Sequence, residues 1–120
     1  MKSLVYSFLL FSFLFVVEVN AQSPKPKKVQ TIEFEVHGAC GMCKDRIESA
    51  LDYKGVKFAE WNKSTQMLKV VFNTKKIQEQ KLHELVAKVG HDTSKIKAKD
   101  EVYNELPDCC LYRDENVHTH

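Results

Sequence analysis

This chain of 120 residues predicts an α+β fold of the ferredoxin-like βαββαβ kind, with a cysteine-containing C-terminal extension. Three observations carry that prediction. Two stretches, Val29–His37 and Met67–Asn73, alternate apolar and polar residues with the period of a half-buried strand. Two others carry apolar stripes at helical spacing, Ile47, Ala50 and Leu51 in one, Leu82, Leu85, Val86 and Val89 in the other. Their order is strand, helix, strand, strand, helix, strand, and two one-sided helices must bury their stripes on one face of an antiparallel sheet.

The first 21 residues stand outside that domain. Met1-Lys2 is a short positive start, Leu4 to Val17 is nearly all Leu, Phe and Val, and Val19-Asn20-Ala21 suits a signal peptidase. The apolar run is shorter than the ~20 residues needed to span a bilayer and ends in Glu18 and Asn20, so a cleaved leader is expected rather than an anchor. The mature chain would then be periplasmic or secreted. Residues 22–28, polar with two prolines and the Lys25-Pro26-Lys27-Lys28 run, read as a linker. The formal charge of +2 is small and dispersed, which argues against nucleic-acid binding.

Within residues 29–98, Ile32, Phe34 and Val36 face one way from the first strand, and Glu33 and Glu35 the other. Gly38-Ala39-Cys40-Gly41 breaks the pattern into a loop, and a helix is expected from Met42 or Cys43 to Gly55. Val56–Asn62 and Met67–Asn73 form a hairpin across the polar turn Lys63-Ser64-Thr65-Gln66, with Trp61 and Phe58 both expected in the sheet core. The second helix ends at Gly90, where a C-terminal cap belongs. Ser94–Ala98 is expected to add the last strand through Ile96 and Ala98. Residues 99–120 hold too many large apolar side chains for a free tail and should fold back as a helical turn and a loop.

The chemistry concentrates in Cys40-Gly41-Met42-Cys43. Two thiols separated by two residues can converge on one ion, with sulfur–metal distances of about 2.3 Å for zinc. The start of a helix presents unpaired N–H groups and a positive dipole end, which favour the thiolates that bind metal. Gly38 and Gly41 are expected to let the backbone fold tightly enough to turn both sulfurs inward. The competing readings are a disulfide and a thiol–disulfide exchange site, which an exported protein could also use. Against exchange, Ala39 rather than an aromatic residue precedes Cys40, and the mature chain offers only Pro24, Pro26 and Pro107 to face the thiols.

Val36-His37-Gly38-Ala39-Cys40-Gly41-Met42-Cys43 between a strand and a helix resembles the heavy-metal-associated domain family, over roughly Val29 to Ala98. Gly55-Val56 with Ala59, Val70 to Phe72, and Gly90-His91-Asp92 extend the resemblance. It implies that Cys40 and Cys43 bind a soft ion, Cu(I) first, with Zn(II), Hg(II) and Cd(II) as others, and pass it on by thiolate exchange. The implied partner is a metal-transporting membrane protein or another metal-binding domain, and the implied role is that of a monomeric carrier, chaperone or scavenger rather than an enzyme. The chain departs from the family pattern twice. The methionine usually found two residues before the first cysteine is missing, and His91 stands where a Tyr or Phe is usual. His37 and His91 are thereby candidates for added ligands, although a surface or half-buried histidine is the ordinary expectation for each.

Cys109-Cys110 lies beyond that resemblance. Vicinal cysteines rarely bridge each other because the ring strains the intervening peptide. They could pair with Cys40 or Cys43, complete a thiolate site of higher coordination, or serve as small buried apolar residues. His118-x-His120 is expected to be a frayed terminus rather than a metal clamp.

Overall fold

The computed structural model describes residues 28–114. The leader, nearly all of the linker, and His118 and His120 lie outside the described residues. Strands β1 (Val29–Glu35), β2 (Val56–Asn62) and β3 (Met67–Asn73) form an antiparallel sheet in the order β1-β3-β2. Helices α1 (Gly41–Ala50) and α2 (Glu79–Lys88) cover one face, giving the ferredoxin-like arrangement.

Strand parity sorts the side chains. Phe34 on β1 and Leu68, Val70 and Phe72 on β3 are buried, and they meet Cys43, Ile47 and Leu51 of the α1 segment and Leu82 and Val86 of α2 in one core. On β2, Trp61 pairs with Leu68 and Ala59 with Val70, so both face the helices. Phe58 sits opposite Val71, on the outer face, and is exposed rather than in the core as the sequence suggested. Positions three apart on a regular strand cannot share a face, and the register shift lies between Val56 and Phe58, leaving the stretch from Phe58 to Trp61 in unbroken alternation.

The hairpin turn hydrogen-bonds to itself and to the loop beyond β1. Asn62 Oδ1 accepts from the Ser64 and Thr65 amides at 2.9 and 3.1 Å, and Gln66 adopts a positive φ of 60°. α2 ends as expected, with Gly90 at φ 103° just past its C-cap Val89. The same helix buries His83, which stacks on Phe34 with ring centroids 3.9 Å apart and whose Nδ1 lies 2.7 Å from Thr93 Oγ1.

The expected fourth strand is reduced to a single bridge, Val36 with Thr93, at the free edge of β1. Ser94–Ala98 turns away because local side-chain bonds capture the groups a ladder would use. Thr93 Oγ1 accepts from the Lys95 and Ile96 amides at 3.2 and 3.0 Å, the Thr93 amide donates to Ile96 O at 2.8 Å, and Ala98 N donates to Asp92 Oδ1 at 2.7 Å.

The chain then folds back, as its apolar content required. A short helix α3 (Asp100–Tyr103) and a 3-10 turn (Asp108–Cys110) bring Tyr103, Leu106 and Cys110 into the core. Leu106 packs directly on Gly90, where an added Cβ would stand 3.0 Å from Leu106 Cδ2. Arg113 fastens the end of the segment. Its Nε and one terminal nitrogen reach the two Asp92 oxygens at 3.1 and 2.7 Å, that nitrogen also donates to Ala98 O, and the guanidinium lies 4.2 Å over the Tyr103 ring.

Candidate metal centre

Cys40 is the N-cap residue of α1, with extended backbone angles (φ −146°, ψ 174°), and its carbonyl accepts from the Cys43 and Lys44 amides. That geometry places one sulfur beside the helix start and the other in its first turn. Cys43 is fully buried and Cys40 partly exposed. Their sulfurs are 3.3 Å apart, and the Ala39 amide points at Cys43 Sγ at 3.5 Å.

Gly38 is required where it stands, because a Cβ there would be 2.9 Å from the Trp61 ring and 3.2 Å from Cys43 Cβ. Gly41 is different from the expectation: nothing lies within 4 Å of a Cβ built on it, so space does not demand glycine there. The loop rests on groups that the sequence assigned only to the hairpin turn and the sheet core. Gln66 Oε1 accepts from the Gly38 amide at 3.0 Å, and the Trp61 indole N–H donates to Val36 O at 2.9 Å.

The extension delivers two more thiols. Cys40 Sγ lies 3.0 Å from Cys110 Sγ and 3.2 Å from Cys109 Sγ. The sulfurs of Cys40, Cys43 and Cys110 all lie within 4.8 Å of one another. Cys109 is exposed; it meets Cys110 at 3.8 Å and the Met42 thioether at 3.6 Å. Arg46 donates to Cys110 Sγ at 3.4 Å. All four cysteines are free thiols. Such a set of soft donors at the mouth of a helix can coordinate a soft metal ion.

The electrostatics divide the thiols. Burial pushes the Cys40 thiol up, but hydrogen bonds from the Cys110, Cys109 and Cys43 thiols and the Cys43 backbone outweigh it, and the net value is lowered to about 7. Burial raises Cys43, and burial together with the neighbouring thiols raises Cys110 strongly. Cys109 is raised first by its bond to Cys40. One partly exposed thiol is thus poised to ionise among neighbours that hold their protons.

The histidines take other places. His37 is exposed, with Nε2 3.2 Å from Glu35 Oε1. His91 is fully buried, not at the surface or half-buried as anticipated, and its Nδ1 donates to His37 O at 2.8 Å. Burial lowers its pKa, and its ring stacks on Tyr112 with centroids 5.4 Å apart. His91 is therefore a strut between the metal loop and the extension.

Several solved structures share this frame. The N-terminal domain of a potential copper-translocating P-type ATPase from Bacillus subtilis, solved in a Cu(I)-loaded state, is 31% identical over 54% of this chain and 84% of its own, with a TM-score of 0.52. The chain belongs to the heavy-metal-associated domain family. A CopZ metallochaperone is 27% identical over 53% of this chain and 98% of its own, with a TM-score of 0.52. Oxidized MerP from Ralstonia metallidurans CH34 is 28% identical over 55% and 94%, with a TM-score of 0.53. No protein-family model and no curated protein matches the chain. The share of this chain covered leaves room for the extension, so the second thiol pair is a feature the heavy-metal-associated frame does not itself require.

Proposed function

We propose that this heavy-metal-associated protein is an exported carrier, chaperone or scavenger of a soft metal ion, Cu(I) first, held through Cys40 and Cys43. The observation that carries the reading is the convergence of the Cys40, Cys43 and Cys110 sulfurs within 4.8 Å at the start of α1. Thiolates without harder ligands favour Cu(I), and added sulfur ligands also suit Zn(II) and Hg(II). Copper is named for the ATPase domain above, and its likeness supports the choice. The leader-like residues 1–21 support a periplasmic or secreted location. The ion is cargo. Cys40, partly exposed and lowered to about 7, is the thiol that meets an incoming ion, and buried Cys43 closes behind it. A membrane metal transporter or a second domain of this kind is the exchange partner, reached by replacing one thiolate at a time.

The same short sulfur contacts favour a second reading, thiol–disulfide exchange at Cys40. Anaerobic titration of the reduced protein with Cu(I) and Zn(II), repeated on Cys40→Ser and Cys43→Ser, separates the two. Tight binding lost in both variants is the expected result. A wild type that binds neither ion tightly yet reduces an insulin disulfide would overturn the carrier reading.

A further inference from the structure

The four thiols are arranged as two triangles that share an edge. Cys40, Cys43 and Cys110 form one, with every sulfur within 4.8 Å of the others. Cys40, Cys109 and Cys110 form the second, with sides of 3.2, 3.0 and 3.8 Å. The common edge is Cys40–Cys110.

We propose that this cluster is a binuclear site for univalent soft ions, with Cys40 and Cys110 as bridging sulfurs, Cys43 completing one metal position and Cys109 the other. The proposal rests on the soft-metal reading of the site and specifies its capacity and ligand set. A three-coordinate ion with sulfurs at about 2.3 Å needs them about 4 Å apart, so the sulfur pairs 3.0–3.8 Å apart have only to open by ~1 Å or less. A thiolate keeps lone pairs after binding one ion, so it can bridge two, and the shared positions fall to Cys40 and Cys110, the two cysteines common to both triangles.

A single tetrahedral ion fits less well. It would need Cys109 to turn in toward Cys43, whereas Cys109 is exposed and faces Met42, whose thioether is 3.6 Å away. That soft, exposed sulfur is placed to support the outer position. Univalent ions are favoured over divalent ones because three sulfurs satisfy them, leaving no site open for water or a harder ligand. Loading two such ions converts four thiols to thiolates and releases four protons, leaving a local charge of −2. Arg46, donating to Cys110 Sγ at 3.4 Å, and the amide end of α1 offset it.

The experiment is an anaerobic titration of the reduced protein with Cu(I) against a competing chelator, with X-ray absorption on the loaded form. Wild type should bind two ions, each with three sulfur neighbours, and show a short copper–copper vector. Cys109→Ser alters an exposed residue and should keep the fold. It should halve the capacity to one ion and abolish the metal–metal vector while keeping three-sulfur coordination. Cys110→Ser should also fall to one ion, held by two sulfurs.

Saturation of wild type at one ion, or two ions without a copper–copper vector, would overturn the binuclear site. One ion bound in a manner that requires Cys40 and Cys43 would leave the carrier reading intact. Failure to bind any ion tightly would sink both.

Discussion

Replacing Arg113 with methionine should release the extension from the domain while keeping an unbranched apolar stem. The Arg113 side chain is 20% exposed and that of Asp92 18%, and two short bonds join them. Breaking a fully buried pair costs about 3–5 kcal/mol, and partial exposure reduces that to roughly 2–3 kcal/mol here. Urea unfolding monitored by Trp61 fluorescence should therefore show a lower midpoint with little change in slope. The pH dependence has a definite sign. Burial pushes the Asp92 carboxyl up, but Arg113 and the Ala98 amide outweigh it and hold the native pKa below the ordinary value. The pair's contribution is thus fully present above the unfolded carboxylate range, near pH 4, and fades as pH falls through the lowered native value. In Arg113→Met the orphaned carboxylate is relieved by protonation, so the gap between wild type and variant should narrow toward pH 3. Cys110 should also become faster to alkylate. A loss below ~0.5 kcal/mol at pH 7, or a gap that is the same at pH 7 and pH 3, would refute the reasoning.

Gly90→Ala meets both a positive φ of 103° and Leu106 Cδ2 at 3.0 Å, so it should cost about 1–3 kcal/mol in urea unfolding. With Cys40 lowered to about 7, its carbamidomethylation should rise steeply through pH 7 and level off above it, ahead of the other three thiols, as read by mass spectrometry after short exposure. A rate still climbing from pH 8 to 9 would contradict the assignment. Trp61→Phe leaves the buried Val36 carbonyl without the indole N–H at 2.9 Å and should cost about 1–3 kcal/mol, measurable by far-ultraviolet circular dichroism on heating.

Much of the frame was legible because periodicity reports on burial. Phe34, Leu68, Val70 and Phe72 alternate with polar neighbours, and Leu82 and Val86 repeat at helical spacing, so their faces follow directly. Phe58 is large and apolar yet lies on the outer face, because strand parity with Trp61 outweighs hydrophobicity there. The fourth strand failed for a different reason: Ile96 and Ala98 have strand-like spacing, but Thr93 and Asp92 hold the backbone in a turn by side-chain bonds, which no apolar pattern registers. At the site, Cys40 and Cys43 are neighbours in sequence and were readable as a pair. Cys110 reaches Cys40 across a sequence separation of 70, and Arg46 reaches Cys110 across 64, distances at which only the folded path decides.

That path has a hinge point in Asp92. Its carbonyl accepts from His37 N at 2.9 Å, beside the cysteine loop, and its amide donates to the Tyr112 hydroxyl at 2.8 Å. One carboxylate oxygen takes both Ala98 N and an Arg113 nitrogen, at 2.7 Å each. A residue that continued the sheet would have spent its polar groups on β1 and sent the chain along the edge. By stopping the ladder at one bridge, Asp92 and Thr93 instead turn the chain so that α3 and the 3-10 turn can close over the end of α1. The loss of a regular fourth strand and the arrival of Cys110 at Cys40 are in this sense one structural event, and the thiol count of the site depends on a residue that carries no sulfur.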